Sequence, residues 1–235
     1  MFTGLIEEVG ELRSLRRSAR SVNLVIRCPR LAPELAIGAS LAVDGVCLTL
    51  TANRGDEVEV QAVGATLGKT TLRNIEIGRR VNLERPMAAT ARLDGHFVLG
   101  HVTGRARIRS WAPQTGGSGP EAWFLEIDLD PAWMDRVIAE GSIAIDGISL
   151  TIAELKENSG SGKGSPSALM SVIPHTRKVT SILYKKPGDE VNVELDVLAS
   201  YVGAAVAALL KGERGAAGPR ESKVDLEQLR AWGYR

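Results

Sequence analysis

The chain has 235 residues, 29 Lys+Arg against 28 Asp+Glu, a formal net charge of +1, 44 % hydrophobic residues and only 4 % aromatic ones. That length suffices for one large or two ordinary domains and buries roughly 70 % of the unfolded surface without disulfides or a structural metal. The balanced charge, with no basic cluster, argues against nucleic-acid binding. No apolar run reaches the roughly 18 residues of a membrane span, and Cys28 and Cys47 are too few for a disulfide framework or a four-cysteine zinc site.

In chain order, MFTGLIEEVG carries acids where a signal peptide carries Lys or Arg, so the cytoplasm is the expected location. LAVDGVCLTL alternates around Asp44-Gly45, a hairpin signal, and EVEVQAV (57–63) reads as a further strand. FLEIDL, ALMSVI and EVNVELDV are short strands of the same kind, at spacings typical of barrels or sandwiches. Asp130-Pro131 ahead of AWMDRVIAE supplies an N-cap and a first-turn proline, which predicts a short helix there, with Pro29 as its counterpart in the first half. SIAIDGISLTI repeats the Asp-Gly hairpin pattern, and KENSGSGKGSPSA (156–168) is a Gly/Ser-rich loop. Val202, Ala205, Val206, Leu209 and Leu210 then follow an i, i+3, i+4, i+7, i+8 pattern, which predicts a helix able to pack on its own barrel or on partner helices. The tail beyond Lys211 is polar and expected to be mobile.

An internal repeat organises these elements. GASLAVDGVCLTL (38–50) and EGSIAIDGISLTI (140–152) share six identities and four Leu/Ile or Val/Ile exchanges at an offset of 102. Val81-Asn82-Leu83-Glu84 matches Val191-Asn192-Val193-Glu194 at 110, and Thr3-Gly4 is aligned with Thr103-Gly104 at 100. Two homologous domains follow, 1–98 and 99–197, then a helix over 198–211 and a tail over 212–235.

Reactive side chains are few. His96 and His101 lie in DGHFVLGHVTG at the seam between the copies, where flanking glycines admit sharp turns and close ligand approach. They lack a third metal ligand at a recognisable spacing, and as imidazoles they could equally cap strand ends. Cys47 matches Ser149, each followed by Leu-Thr. Period two puts Cys47 with Thr49, and Ser149 with Thr151, on one face suited to hydrogen-bonding a polar ring. A buried thiol acting as a small hydrophobe accounts for Cys47 alone and not for the recurring threonine. GSGKGS (160–165) fails as a phosphate loop because Gly follows its lysine.

Taken together, MFTGLIEEVG, SLAVDGVCLTL, GHFVLGHVTG, SIAIDGISLTI, IPHTRKVTSI and VNVELD closely resemble the riboflavin synthase family of the two-barrel alpha-chain type, over about residues 1–205. The resemblance implies an all-β fold of two closed six-stranded barrels, a C-terminal helix that assembles a homotrimer, and cofactor-free dismutation of two 6,7-dimethyl-8-ribityllumazine molecules. It also leaves room for an association with lumazine synthase. It assigns the chemistry to Cys47, His101, Ser149, Asp196, Ser40 and His96. Of the substrate contacts, it implies a first-barrel set of Gly4, Leu5, Ile6, Ser40, Cys47, Leu48, Thr49, Gln61, Ala62, Val63, Gly64, Ala65 and Thr66. The implied second-barrel set is Gly100, His101, Val102, Ser149, Leu150, Thr151, Ser171, Val172, Ile173, Pro174, His175 and Thr176. Asp196 is expected beside Ser149, and Glu140 stands where a neighbouring subunit's contact is often Lys. Ala65, Asp94 and Thr103 also depart from the family's common Glu, Gly and Asp. Two other readings are a non-catalytic lumazine- or flavin-binding relative and the flavin barrel of a reductase. The retained Ser149, Thr151, Thr176 and Asp196 weigh against the first, and 235 residues leave no space for the reductase's nicotinamide-binding domain.

Overall fold

Both Asp-Gly hairpins form as the sequence predicts. Asp44 and Gly45 turn with φ of 45° and 76°, Asp146 and Gly147 with 45° and 79°, the left-handed pair that a two-residue type I′ turn requires. In the computed structural model, which describes residues 1–18, 21–114, 122–156 and 165–210, these hairpins nucleate two closed antiparallel barrels. The first comprises β1 (Glu8–Arg17), β2 (Ser21–Arg27), β3 (Ser40–Val43), β4 (Val46–Asn53), β5 (Glu57–Val63) and β6 (Arg80–Glu84), ordered β1-β2-β5-β4-β3-β6. The second comprises β7 (Gly104–Pro113), β8 (Trp123–Asp128), β9 (Ser142–Ile145), β10 (Ile148–Lys156), β11 (Ser167–Val172) and β12 (Glu190–Leu195) in the same cyclic order.

Alternate side chains fill each barrel: Leu24, Ile26, Leu48, Leu50, Val58 and Val60 in one, Leu125, Ile127, Leu150, Ile152, Met170 and Val191 in the other. Register shifts at Leu12/Ser14 and Leu50/Ala52 recur at Ile108/Ser110 and Ile152/Glu154. Such bulges bend strands enough to close a small barrel.

Three helical expectations need adjustment. Asp130 does cap a helix, its carboxylate accepting the Ala132 N–H at 2.9 Å, but the segment is a 3-10 helix that ends at Arg136. Pro29 keeps its place as the counterpart of Pro131 at the same offset but starts no helix. Glu8 accepts the Arg30 and Leu31 N–H groups (3.3 and 2.9 Å), holding that stretch as a turn, and Pro33 enters the short 3-10 helix Ala32–Glu34 instead. The C-terminal helix begins one residue early, as α3 (Val197–Leu210), with Asp196 Oδ1 accepting the Leu198 N–H at 2.9 Å. Two shorter helices, α1 (Gly64–Lys69) and α2 (Pro174–Val179), follow β5 and β11. No described helix is long and apolar enough to cross a membrane. GSGKGS from 160 to 164 and the expected mobile tail lie outside the described residues.

Residues 1–200 form one compact unit, and α3 continues from Tyr201 into a second. Within the first unit the two Asp-Gly turns meet back to back. A Cβ on Gly45 would lie 2.7 Å from Gly147 N, and one on Gly147 2.8 Å from Gly45 N, so this contact admits only glycine.

Candidate active site

The lead-in segments of the two barrels pair with each other before reaching either barrel. Phe2 and Val98 form an antiparallel bridge, Phe2 N–H to Val98 O at 2.7 Å and the reverse at 3.1 Å. Beyond it each segment crosses over. The Ser149 N–H donates to Gly4 O at 2.8 Å, and the Cys47 N–H donates to Gly100 O at 3.0 Å. Both glycines sit at positive φ (79° and 77°), and a Cβ on either would fall 2.6 Å from the Ser149 Cβ or 2.5 Å from the Cys47 Cβ. Ile6 accordingly packs on the second barrel's core and Val102 on the first.

This crossing corrects two expectations. Gly4-Leu5-Ile6 belongs with Ser149 in the second pocket, and Gly100-His101-Val102 with Cys47 in the first. The true counterpart of Thr3-Gly4 is Leu99-Gly100, not Thr103-Gly104, because Gly4 and Gly100 share both conformation and contact.

The first pocket has a volume of about 340 Å³ and is lined by Val46, Cys47, Ala65, Thr66, Lys69, Thr70, Gly100, His101 and Val102. Cys47 is its half-buried thiol. The other cysteine, Cys28, is fully buried, and burial pushes its thiol up to about 12, so it holds no thiolate at neutral pH. Lys69 was not anticipated. Its counterpart in the repeat is Val179, so the second copy has no lysine at this position.

The equivalent position on the second barrel is held by Ser149, whose hydroxyl lies 2.7 Å from His96 Nδ1. His96 reaches it because its N–H donates to Thr3 O at 3.1 Å, on the same crossing segment as Gly4. Burial holds the His96 imidazole below the usual histidine range, opposed in part by the negative charge of Asp196. His96 Nε2 is buried with no hydrogen-bond partner. Asp196, expected beside Ser149, caps the start of α3, and its negative charge bears on the His96 imidazole that touches Ser149.

Period two divides the remaining expected contacts. Leu48, Ala62, Leu150 and Val172 point into the barrel cores, which leaves only their backbone to a ligand. Thr49, Thr151, Gln61, Val63, Gly64, Ser171, Ile173, Pro174 and His175 are exposed on the outer face, and Ser40 and Thr176 are half-buried. Glu140 is exposed at φ 64° in the loop before β9. Of the other departures, Asp94 pairs with Arg92, and Thr103 Oγ1 accepts the Leu195 N–H at 3.2 Å.

Two further carboxylates went unnoticed in the sequence. Glu84 and Glu194 end the repeated VNLE and VNVE, a signal that was present but had no chemistry attached. Glu84 accepts the Thr3 N–H and hydroxyl and the Gly4 N–H, while Glu194 accepts the Leu99 N–H.

Both barrels match the family model described as the lumazine binding domain, over residues 3–86 and 99–196. Fold and sites thus define a tandem lumazine-binding protein. The riboflavin synthase of Bacillus subtilis (strain 168) is 36 % identical over 202 residues, which cover 86 % of this chain and 88 % of that one. That of Mycobacterium tuberculosis (strain ATCC 25618 / H37Rv) is 36 % identical over 207 residues, covering 86 % and 96 %. Among solved structures, LumP complexed with riboflavin superposes with a TM-score of 0.73 at 21 % identity, covering 83 % of this chain and 99 % of that one, which is a likeness of fold. The chain belongs to the riboflavin synthase family.

Proposed function

We propose that the chain condenses two molecules of 6,7-dimethyl-8-ribityllumazine by moving a four-carbon unit from one to the other. The products are riboflavin and 5-amino-6-ribitylaminouracil, which makes this the last step of riboflavin biosynthesis. The observation that carries this reading is the pair of pseudo-equivalent sites, each made from a strand of one barrel and a loop crossing from the other, but differently armed. One presents Cys47 and His101, the other Ser149 hydrogen-bonded to His96.

A reaction between two identical rings needs two like surfaces, and orienting the rings is worth roughly 7–11 kcal/mol in favourable cases. The remaining work is proton transfer. The acidic methyl group at C7 of one lumazine loses a proton, and its carbanion is delocalised into the ring carbonyls. A neutral His96, acting through the Ser149 hydroxyl, suits the acceptor role. Cys47 and His101 lie where the partner ring would be held.

In the same reading, 1–98 and 99–197 are the functional domains, and a cytoplasmic homotrimer brings the pockets of neighbouring subunits face to face. Tyr201, Val202 and Val206 on α3, exposed at 72, 62 and 47 %, supply an apolar surface for that assembly.

The test is turnover by the purified chain with lumazine and no added cofactor. Riboflavin absorbance should appear with two lumazines consumed per flavin formed. Tight lumazine binding without flavin formation would replace this reading with that of a binding protein.

A further inference from the structure

The two lead-in loops have to be held at the opposite barrel's pocket, and each is held by a single buried carboxylate. Glu84, 4 % exposed on β6 and paired with Ala42, uses both oxygens. Oε1 accepts the Thr3 N–H at 2.6 Å and the Thr3 hydroxyl at 2.8 Å, and Oε2 accepts the Gly4 N–H at 3.0 Å. Glu194, 5 % exposed on β12 and paired with Ala144, accepts the Leu99 N–H through Oε1 at 2.6 Å, while its Oε2 is buried near the Gly100 and His101 backbone without a hydrogen bond of normal geometry. Burial raises both carboxyls above their usual range, and these backbone donors pull them back toward the ionised form.

Gly4 then delivers its carbonyl to Ser149 N, and Gly100 its carbonyl to Cys47 N. The clamp on each loop therefore belongs to one barrel and the pocket it completes to the other. We propose that Glu84 and Glu194 are positioning residues acting crosswise: Glu84 of the first barrel sets the Ser149 pocket, and Glu194 of the second sets the Cys47 pocket. The proposal rests on the synthase reading for its substrate. Its logic is that charge-assisted hydrogen bonds fix a loop more firmly than neutral ones, and that misplacing a ring-holding loop by about 1 Å can cost about 10²-fold in rate.

Glu84→Gln and Glu194→Gln keep size and shape but oppose an NH₂ group to backbone donors. The measurement is NMR of the full chain with ¹³C-labelled 6,7-dimethyl-8-ribityllumazine, which should give two bound resonances. Cys47→Ala and Ser149→Ala assign them to their pockets.

Glu84→Gln should displace the resonance that Ser149→Ala displaces, and Glu194→Gln the one that Cys47→Ala displaces, each with turnover lowered about 10²-fold. Thr3→Val, which removes one of three donors to Glu84 and leaves the carboxylate intact, should move the Ser149 resonance by less. Glu194→Asp keeps the charge but falls short, and should move the Cys47 resonance by less. These milder variants carry the test if either glutamine variant does not fold. If each variant displaces its own barrel's resonance, or both resonances move together, the crosswise assignment is overturned. Two bound resonances in a wild-type chain that makes no riboflavin would overturn the synthase reading while leaving the crosswise pattern readable.

Discussion

Asn82 and Asn192 exchange side-chain amides across the two barrels. Asn82 Nδ2 donates to the Asp146 carbonyl at 2.9 Å, and Asn192 Nδ2 donates to the Asp44 carbonyl at 2.8 Å. Each asparagine also accepts a backbone N–H of the other barrel, Ser181 to Asn82 Oδ1 at 2.6 Å and Thr71 to Asn192 Oδ1 at 2.8 Å. Both are 1 % exposed, so a truncated amide leaves buried partners without water.

Asn82→Ala and Asn192→Ala should therefore each destabilise the protein by about 1–3 kcal/mol. Because the two amides serve one network, the double variant should depart from additivity. Urea unfolding of the four proteins checks this. Losses within a few tenths of a kcal/mol of zero would mean that the barrels are held by the apolar contact of Phe2, Ala42, Val98 and Ala144 and the crossing backbone hydrogen bonds, without help from the two amides.

The same junction is electrostatically lopsided. Lys185 forms a buried ion pair with Asp146, while its repeat counterpart is Ile75, so among the described residues Asp44 has no ion pair of its own and is opposed only in part by the charges of Lys185 and Arg79. Burial, and then the charge of Asp146, push the Asp44 carboxyl up to about 7. An unfolded aspartate titrates near about 3.9. Between those values the folded chain holds more protons at Asp44 than the unfolded chain does. Its contribution to stability is thus fully present below about 4 and is lost as pH rises through about 7. Asp44→Asn should remove that slope and be more stable than wild type at pH 8. Thermal unfolding at pH 5 and 8 for both chains decides it, and equal slopes would sink the argument.

Lys185→Met tests the other half of the junction. It strands Asp146 in the interior and should cost about 3–5 kcal/mol at neutral pH. Adding Asp146→Asn in the same chain should recover part of the loss. A single variant as stable as wild type would show that the ion pair repays no more than its own desolvation.

How far the sequence was legible follows the range of the interactions. The Asp44-Gly45 and Asp146-Gly147 hairpins, the strands around them and the Asp130 cap were readable because each is decided within a few residues. The exchange of Gly4 and Gly100 was not. It depends on Phe2 bridging Val98, a long-range pairing between homologous segments, and a sequence repeat is blind to which copy a segment docks on. The recurring Thr-Gly dipeptide at 3–4 and 103–104 also drew the alignment four residues away from the structural match. Cys47, Ser149 and His96 were found by residue type, but that His96 rather than Asp196 touches Ser149 needed the fold. Glu84 and Glu194 looked like strand ends because their work is done on backbone N–H groups, which leave no mark in a sequence.

The cysteines give a direct probe of the first pocket. Cys47 is half-buried at its rim, while Cys28 is fully enclosed with its thiol pushed up to about 12. Only a thiolate is alkylated at a useful rate. Iodoacetamide at pH 8 should modify one cysteine in the native chain, Cys47, and two after unfolding. Bound lumazine or riboflavin should slow the native reaction. Peptide mapping by mass spectrometry reads both results, and labelling at Cys28 in the folded chain would contradict the burial.

The Ser149–His96 pair makes the sharpest kinetic prediction. Burial lowers the His96 pKa below the ordinary value of about 6.5, with the charge of Asp196 opposing it only in part. The imidazole is therefore neutral, and able to take a proton, to lower pH than a solvent-exposed histidine would be. The acid limb of kcat/KM should lie below about pH 6.5. Asp196→Asn removes the opposing charge and should move that limb further down. His96→Gln and Ser149→Ala should each lower kcat by about 10²–10⁴-fold with little change in KM, the usual scale for one acid–base partner. The 2.7 Å contact makes the two side chains one proton-transfer unit. Removing both should then cost little more than removing either. The measurement is steady-state kinetics across pH on wild type, the three single variants and the His96→Gln/Ser149→Ala double variant, with assembly checked by sedimentation in each. Fully additive losses would separate Ser149 from His96. An acid limb unchanged in Asp196→Asn would assign the titration to a group other than His96.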